Sequence, residues 1–174
     1  MPCGAYEGEN MTLERTLVLI KPDGVQRGLI GRITSRFEDA GLKIIGAKMV
    51  WVDEEFARKH YTEDLEKRRG KQVRDYMADF IKSGPVMAFA LEGVDAIDNV
   101  RKIVGATEPK AAVPGTIRGD FSHVSFAHCD EKKQGVRNLI HASSDKKDAE
   151  YEVNLWFNSN ELHTYKTVHD VHVL

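Results

Sequence analysis

The chain is predicted to fold as one α+β domain, a two-layer sandwich of a four-stranded antiparallel sheet with surrounding helices. Its 174 residues suffice for one domain with a buried core and are too few for two ordinary domains. Short apolar runs alternate with amphipathic segments in the order strand, helix, strand, helices, strand, helix, strand, helix. This order fits a split βαβ arrangement, but the pattern alone does not exclude a doubly wound parallel sheet.

Two strands and the helix between them are predicted in the first third of the chain. The apolar residues 17–20 indicate a buried strand that ends at the turn-forming sequence Lys-Pro-Asp-Gly. Residues 29–40 are predicted to be helical because apolar side chains recur on one face, and Gly41 suits the helix end. Residues 42–52 alternate as a strand does, and Asp53 can cap the helix that follows.

The remainder of the chain supplies further helices, two short strands and several polar connections. The charged residues 62–71 are predicted to form a solvated helix or loop. Helices are predicted at 72–82, 95–104 and 148–156, and strands at 86–91 and 139–140. Residues 105–120 are predicted to be a long loop, residues 122–137 are ambiguous, and residues 158–174 show no clear pattern.

Composition describes a soluble globular protein and disfavours several functions. The net charge of −2, from 25 basic and 27 acidic residues, does not favour general nucleic-acid binding. Two cysteines make no disulfide framework, so a reducing cytoplasm is expected. No apolar run approaches the length of a membrane span. Residues 1–14 are expected to be a flexible tail rather than a secretory signal, residues 15–162 the domain, and residues 163–174 a C-terminal tail.

The candidate chemistry centres on His141, which ends a short apolar run and precedes the small residues Ala142 and Ser143. A histidine ring nitrogen can take up a phosphoryl group near neutral pH, and arginines in the preceding loop at 114–120 could hold phosphates. No Gly-Lys-Ser/Thr P-loop is present. Taken alone, a histidine on a strand is more often a core residue whose ring nitrogens have hydrogen-bond partners than a nucleophile.

Four motifs in order give the chain a specific resemblance. They are Lys21-Pro22-Asp23-Gly24-Val25-Gln26-Arg27-Gly28, Ser83-Gly84-Pro85-Val86, Pro114-Gly115-Thr116-Ile117-Arg118-Gly119-Asp120, and Asn138-x-x-His141-Ala142-Ser143. With these motifs the chain resembles nucleoside diphosphate kinases over residues 15–162. The resemblance implies a ferredoxin-like sandwich and transfer of the γ-phosphate from a nucleoside triphosphate to a nucleoside diphosphate through a phosphohistidine. It also implies Mg²⁺ carried with the nucleotide phosphates, and a homo-oligomer, with a hexamer favoured over a tetramer.

The resemblance assigns catalytic roles to five positions. His141 matches the nucleophile, Glu152 matches a glutamate that holds its ring, and Ser143 matches a serine that bonds this glutamate. Lys21 matches a lysine placed against the phosphates, and Tyr61 a tyrosine near the catalytic ring. Without the motifs, Lys21 reads as a surface lysine at a strand end and Tyr61 as an aromatic at the edge of the core.

The resemblance also assigns nucleotide-binding positions. Arg101, Thr107 and Arg118 match residues that contact the phosphates, and Asn138 matches an asparagine that bonds the ribose. Without the motifs, Arg101 would be interpreted as a solvent-exposed residue at the edge of the apolar face of its helix, and Thr107 and Asn138 as turn residues. No protein metal site is predicted, because the histidine and cysteine groups at 123–129 and 169–172 offer too few ligands.

Four departures from the family pattern stand out in the sequence. Extra length before Ser83 puts Val73 at the position of the base-stacking aromatic, with Tyr76 the nearby aromatic side chain. Ser144 precedes Asp145, whereas the family usually has the reverse order. The C-terminal tail lacks the usual aromatic ending. The segment 122–137 is longer than usual, and we expect it to pack over the nucleotide entrance or at a subunit interface.

Overall fold

The structure, a computed structural model, describes residues 13–172. Its strands form one sheet in the order β2-β3-β1-β4, in which every neighbouring pair is antiparallel. The strands are β1 (Leu13–Ile20), β2 (Lys43–Val50), β3 (Val86–Val94) and β4 (Ile140–Ala142). This strand order confirms the predicted ferredoxin-like α+β fold, and the doubly wound parallel alternative is wrong.

Helices connect these strands. They are α1 (Pro22–Gln26), α2 (Ile30–Glu38), α3 (Glu54–His60), α4 (Glu63–Arg69), α5 (Lys71–Lys82), α6 (Ala96–Val104), α7 (Ile117–Phe121), α8 (Phe126–Glu131), α9 (Lys146–Trp156) and α10 (Val168–His172). Short 3-10 turns lie at Pro109–Ala111 and Ser159–Glu161. None of the helices within residues 13–172 has the length and apolarity to cross a bilayer.

The sheet has a hydrophobic core on each face. On one face α2 and α6 bury side chains such as Ile33 and Val100, which gives the predicted sandwich. On the other face α3, α5 and α9 contribute a second cluster that includes Trp156. Strand β1 runs between the two clusters, with Leu17 in one and Val18 in the other. Burial on both faces explains why the second half of β1, residues 17–20, is an uninterrupted apolar run.

Short helices lie where the sequence predicted turns, loops or no pattern. The expected turn at Lys21 opens α1, because Pro22 fits a first helical position that needs no backbone donor. The predicted long loop contains α7, which Thr116 caps by accepting a hydrogen bond from the Gly119 N–H. Likewise α8 lies in the ambiguous segment, and α10 lies in the tail. Helices of five or six residues span too few turns to give a periodic pattern.

A β-bulge changes the register of β2. The pairing with β3 shifts between Ile44 and Gly46, so the strand does not keep one alternation along its length. Ile45 is buried, whereas Met49 and Trp51 are 55% and 69% exposed. The simple alternation of the sequence therefore describes only part of this strand.

The C-terminal segment packs along the outer edge of β2. The His163 N–H donates to the Ile45 carbonyl oxygen at 2.7 Å, and the Tyr165 hydroxyl donates to the Ile44 carbonyl oxygen at 2.7 Å. The Lys43 ammonium lies 2.9 Å from the Asp170 carboxylate. These contacts supply partners to part of a strand edge that has no neighbouring strand.

Strand β4 presents the predicted nucleophile on the sheet edge beside β1. His141 is paired with Leu19, and the chain enters β4 through Leu139, whose φ of 70° is in the left-handed region. Two contacts hold this unusual backbone. The Leu139 N–H donates to an Asp23 carboxylate oxygen at 3.0 Å, and its carbonyl oxygen accepts from the Lys21 N–H at 2.8 Å.

Candidate active site

A cavity of about 1040 Å³ lies beside β4, and His141 forms part of its wall. This volume suits a small-molecule ligand. The predicted residues that line the cavity come from distant parts of the chain: Tyr61, Val73, Arg101, Thr107, Arg118, His141 and Glu152. Lys21, Asn138 and Ser143 lie behind this wall and are buried.

His141 is held through one ring nitrogen. Its Nε2 lies 2.9 Å from both carboxylate oxygens of Glu152. The Ser143 hydroxyl donates to the same carboxylate at 2.6 Å and accepts from the Leu17 N–H at 3.2 Å. Because an ionised carboxylate only accepts hydrogen bonds, Nε2 carries the proton. The lone pair of the neutral ring is then on Nδ1, which is the nitrogen available for attack.

Glu152 stays ionised although it is largely buried. Burial pushes its pKa upward, but the charge of His141 and the hydrogen bonds from His141 and Ser143 outweigh this effect and hold the pKa at about 2. A permanently ionised carboxylate fixes the His141 tautomer throughout the neutral range. A carboxylate in this position is suited to stabilise a positive charge on the ring.

His60 is a neighbour of His141 that the sequence reasoning missed. Its ring meets the His141 ring edge to face, with 4.7 Å between centroids and 86° between planes. Its Nδ1 accepts from the Trp156 indole N–H at 3.3 Å. Burial, together with the charge of His141, lowers the pKa of His60 to about 3, so this ring is neutral. Its position next to Tyr61 was the one feature of the sequence that could have indicated a place near the site, but only the fold shows that His60 lies beside β4.

The adjacent Tyr61 brings a buried hydroxyl to the cavity. Among residues 13–172 this hydroxyl has no hydrogen-bond partner. Burial raises the pKa of Tyr61 far above its usual value, so the group remains a neutral donor. A buried, unpaired donor on a cavity wall is suited to bond a ligand.

Two arginines make part of the wall cationic. The Arg118 guanidinium is fixed by donating to the carbonyl oxygens of Gly105 at 2.9 Å and Ile140 at 2.7 Å. Burial, reinforced by the charge of Arg101, lowers the pKa of Arg118 to about 10, which still leaves it charged at neutral pH. Arg101 and Thr107 are exposed on the same wall. Fixed guanidinium groups of this kind bind phosphate oxygens.

Lys21 lies directly behind the cavity wall rather than on it. Its ammonium donates to the Asn138 side-chain oxygen and, at 3.1 Å, to the Val136 carbonyl oxygen. The Asn138 amide in turn donates to the Thr107 carbonyl oxygen at 2.7 Å. Burial lowers the pKa of Lys21 to about 8, although Asp23 opposes the shift. Lys21 thus supports two residues of the wall, Val136 and Thr107.

The structure distinguishes the two candidates for the base contact. Val73 lines the cavity, whereas Tyr76 does not; its hydroxyl accepts from Gln72 on the same helix at 2.6 Å. Phe126 of α8, which the sequence reasoning did not consider, is a further aromatic side chain on the cavity wall. Arg69 lies over the Phe126 ring at 4.8 Å from its centroid.

Carboxylates on the cavity wall already have partners. Asp64 is paired with Arg68, Asp145 accepts from the Asp148 N–H, and Asp148 accepts from Ser144. Within residues 13–172 one group has metal-ligand spacing: His60, His141 and Glu152, with donor atoms within 4.8 Å of one another. Its nitrogen atoms and single carboxylate do not suit Mg²⁺, which prefers oxygen ligands.

Comparison with known proteins gives a consistent result. Residues 14–162 match the family model described as nucleoside diphosphate kinase. The chain is 51% identical to the nucleoside diphosphate kinase of Borreliella burgdorferi over 157 residues, which is 90% of this chain and 94% of that protein. It is 52% identical to the Pyrococcus horikoshii enzyme over 158 residues, covering 90% and 93% of the two chains.

Solved structures agree with this result. The transition-state mimic of the Borrelia burgdorferi enzyme with bound vanadate and ADP superimposes with a TM-score of 0.90 at 49% identity, covering 92% of this chain and 96% of that one. The Halobacterium salinarum enzyme in complex with CDP gives a TM-score of 0.79 at 42% identity, with coverages of 92% and 98%.

The fold and the cavity, together with these relatives, define a phosphotransferase that acts on nucleotides. The chain belongs to the nucleoside diphosphate kinase family. It transfers the γ-phosphate of a nucleoside triphosphate to a nucleoside diphosphate.

Proposed function

We propose that this transfer occurs in two steps through a phosphorylated Nδ1 of His141. The supporting observation is the contact between His141 Nε2 and the Glu152 carboxylate at 2.9 Å, which leaves the Nδ1 lone pair free. Nδ1 attacks the γ-phosphorus, the bond to the β-phosphate oxygen breaks, and the diphosphate leaves. A terminal oxygen of the second diphosphate then attacks the same phosphorus, and the P–N bond breaks to return neutral His141.

Phosphate binding is assigned to Arg101, Thr107 and Arg118, which share the cavity wall with His141. Fixed guanidinium groups offset the negative charge of the transferring phosphoryl group without having to reorganise. The Tyr61 hydroxyl is a further donor toward the reacting group. We assign Lys21 to the phosphates and Asn138 to the ribose; both side chains are buried directly behind the wall, where the Lys21 ammonium donates to the Asn138 side-chain oxygen.

We also propose that Mg²⁺ enters bound to the nucleotide phosphates. The wall carboxylates are engaged in capping, ion pairs or the contact with His141, so the phosphates and water would supply the ligands. The ion would neutralise charge on the phosphates. We assign no residue of this chain as a direct metal ligand.

The nucleophile is tested by incubating the protein with γ-labelled ATP and magnesium without an acceptor, followed by GDP. We expect acid-labile label on the protein that is chased quantitatively into GTP. His141→Ala should take up no label, whereas His123→Ala, a change at an exposed histidine, should behave as the wild type. Label that is retained in His141→Ala would contradict the assignment.

The proposed assembly is a homo-oligomer, with a hexamer favoured over a tetramer. Three large apolar side chains support association: Met49 and Trp51 near the edge of β2, and Val113, which is 65% exposed. Light scattering measures the assembly, and a mass of one subunit at micromolar concentration would refute the proposed homo-oligomer.

We propose the cytoplasm as the location of the protein, because Cys129 is a buried free thiol and the substrates are nucleotides.

A further inference from the structure

Asp23 is a buried carboxylate near the site that the proposed chemistry does not use. It lies in α1, shortly after β1, and it is 8% exposed. One carboxylate oxygen accepts from the Leu139 N–H at 3.0 Å, whereas the other is buried and has no hydrogen-bond partner among residues 13–172. Burial of a charge that is only partly hydrogen-bonded lowers stability. A destabilising group of this kind beside the site indicates a role in function.

Asp23 holds the backbone at the entry into β4 through Leu139. A leucine disfavours the left-handed region, yet Leu139 has a φ of 70°. The Asp23 carboxylate accepts from the Leu139 N–H, and the Lys21 N–H donates to the Leu139 carbonyl oxygen at 2.8 Å. Gly24 permits this close approach, since an added Cβ there would lie 3.1 Å from the same carbonyl oxygen. The first turn of α1 thus holds both backbone polar groups of Leu139, two residues before His141.

Arg118 binds the carbonyl groups on either side of Leu139. Its guanidinium donates to the Asn138 carbonyl oxygen at 3.4 Å and to the Ile140 carbonyl oxygen at 2.7 Å. The turn that leads into β4 is therefore held by a carboxylate on its N–H and by a guanidinium on the flanking carbonyl groups. Because these contacts share one turn, loss of the Asp23 carboxylate should loosen the start of the strand.

The charge of Asp23 also acts on the buried Lys21 ammonium. The charged and titratable groups around this ammonium come from five parts of the chain: Asp23, His60, Arg118, Cys129 and Arg137. Burial, with a contribution from the two arginines, lowers the pKa of Lys21 to about 8, and Asp23 is the largest of the influences that raise it. The Asp23 carboxylate therefore favours a charged Lys21 in a position where burial disfavours it.

We propose that Asp23 is a positioning residue for phosphoryl transfer, which aligns His141 through the Leu139 backbone and keeps Lys21 in its ammonium form. The first effect requires a hydrogen-bond acceptor, and the second requires a negative charge. Asparagine supplies the acceptor without the charge, and leucine supplies neither. The inference rests on the proposed assignment of His141 as the nucleophile and of Lys21 to the phosphates.

The effect of the charge is tested with Asp23→Asn through the dissociation constant of ADP, measured by calorimetry at about pH 6.5 and 8.5, on either side of the Lys21 pKa. Without the Asp23 charge the pKa of Lys21 should fall, so more of the lysine is neutral at the higher pH. The ratio of the variant to the wild-type constant should therefore rise about tenfold between the two pH values. Asp39→Asn, a change at an exposed aspartate, should give the same ratio at both. In a protein that also carries Lys21→Met, the rise should disappear.

The alignment is tested by comparing Asp23→Leu with Asp23→Asn in stopped-flow formation of the phosphoenzyme at about pH 6.5, where most of Lys21 is charged. Asp23→Leu should be at least about tenfold slower, because the Leu139 N–H loses its acceptor and the His141 ring is no longer fixed. Thermal unfolding shows whether each variant is folded. If Asp23→Leu does not fold, the pH dependence of Asp23→Asn still decides the inference.

A ratio for Asp23→Asn that is the same at both pH values, or a rise that persists together with Lys21→Met, would overturn the inference. Equal rates of phosphoenzyme formation in folded Asp23→Leu and Asp23→Asn would overturn it as well. If the wild type formed no phosphoenzyme while the ADP ratio still rose with pH, the failure would lie in the proposed phosphohistidine mechanism rather than in the action of Asp23 on Lys21.

Discussion

At the scale of single residues, the proposed chemistry depends on the Glu152 carboxylate, which determines the tautomer of the His141 ring. Glu152 contacts His141 Nε2, Ser143 contacts Glu152, and neutral His60 packs edge to face on the His141 ring. The motif resemblance pointed to the first three residues. It did not point to His60 or Phe126, because their proximity to the site arises from packing between distant segments.

Replacing Glu152 by glutamine should slow phosphoryl transfer without unfolding the protein. The amide can donate as well as accept, so it no longer enforces the proton on Nε2, and it lacks the charge that stabilises the phosphorylated ring. We expect kcat/KM to fall about 100-fold. Stopped-flow formation of the phosphoenzyme measures the effect. Glu150→Gln on the exposed face of the same helix should leave the rate unchanged, and equal rates in the two variants would refute the role.

Nucleotide binding should be coupled to protonation of Lys21. Because burial lowers its pKa to about 8, Lys21 is charged below this pH and neutral above it. Bound phosphates favour the ammonium form and raise the pKa, so binding between about pH 8 and 10 should take up protons. Calorimetry of ADP binding at pH 9 in two buffers of different ionisation enthalpy measures the uptake. Lys21→Met should abolish it, and persistence of the uptake in this variant would refute the assignment.

At the scale of elements, α9 carries Glu152 and depends on its cap. The Asp145 carboxylate accepts from the Asp148 N–H at 2.9 Å and satisfies one of the free donors of the first turn. Here the departure of Ser144 and Asp145 from the usual family order has a structural outcome: the aspartate is at the capping position. The sequence analysis noted the order but placed the helix start at residue 148, two residues beyond the actual start at Lys146.

Removal of this cap should destabilise the protein and loosen the site. For Asp145→Ala we expect a loss of about 1 kcal/mol in the free energy of unfolding, with a modest fall in kcat. Urea denaturation followed by circular dichroism measures the loss. Glu150→Ala changes a charge on the same helix without removing a cap, and an equal loss there would show that the cap is not the cause.

The elements that sequence patterns predicted well are the long ones with a buried face. Helices α2, α5, α6 and α9 gave clear periodic patterns, and β1 and β3 gave clear apolar runs. The bulge in β2 and the left-handed backbone at Leu139 could not be recognised from any pattern in the sequence. Both are determined by contacts with distant partners, such as the Asp23 carboxylate that accepts from the Leu139 N–H.

At the scale of the whole molecule, the strand order and the packing of the tail are long-range properties. The sequence supported the antiparallel sandwich through its order of elements, yet a parallel sheet could be set aside only by the observed pairing. The tail showed no pattern because its order comes from contacts with β2. Tyr165 and Asp170 have partners that lie more than 100 residues earlier in the chain.

Deleting residues 163–174 should lower stability and promote association. The deletion removes an ion pair and two hydrogen bonds on the β2 edge, and from the hydrogen bonds alone we expect a loss of about 2 kcal/mol in the free energy of unfolding. Urea denaturation measures the loss, and light scattering detects pairing of the uncovered edge. Tyr165→Phe should lose about 1 kcal/mol and Lys166→Ala almost nothing; an unchanged midpoint after the deletion would refute this role of the tail.

The pairing of His141 with Leu19 has a consequence for biosynthesis. Strand β4, which carries the proposed nucleophile, is made after most of the chain and must then dock beside the first strand. A nascent chain that ends before β4 could form most of its helices while it still lacks the reactive ring. In refolding experiments, enzymatic activity should therefore return later than helical circular dichroism, since closing so long a segment is slow. Catalytic competence would thus report on completion of the whole fold.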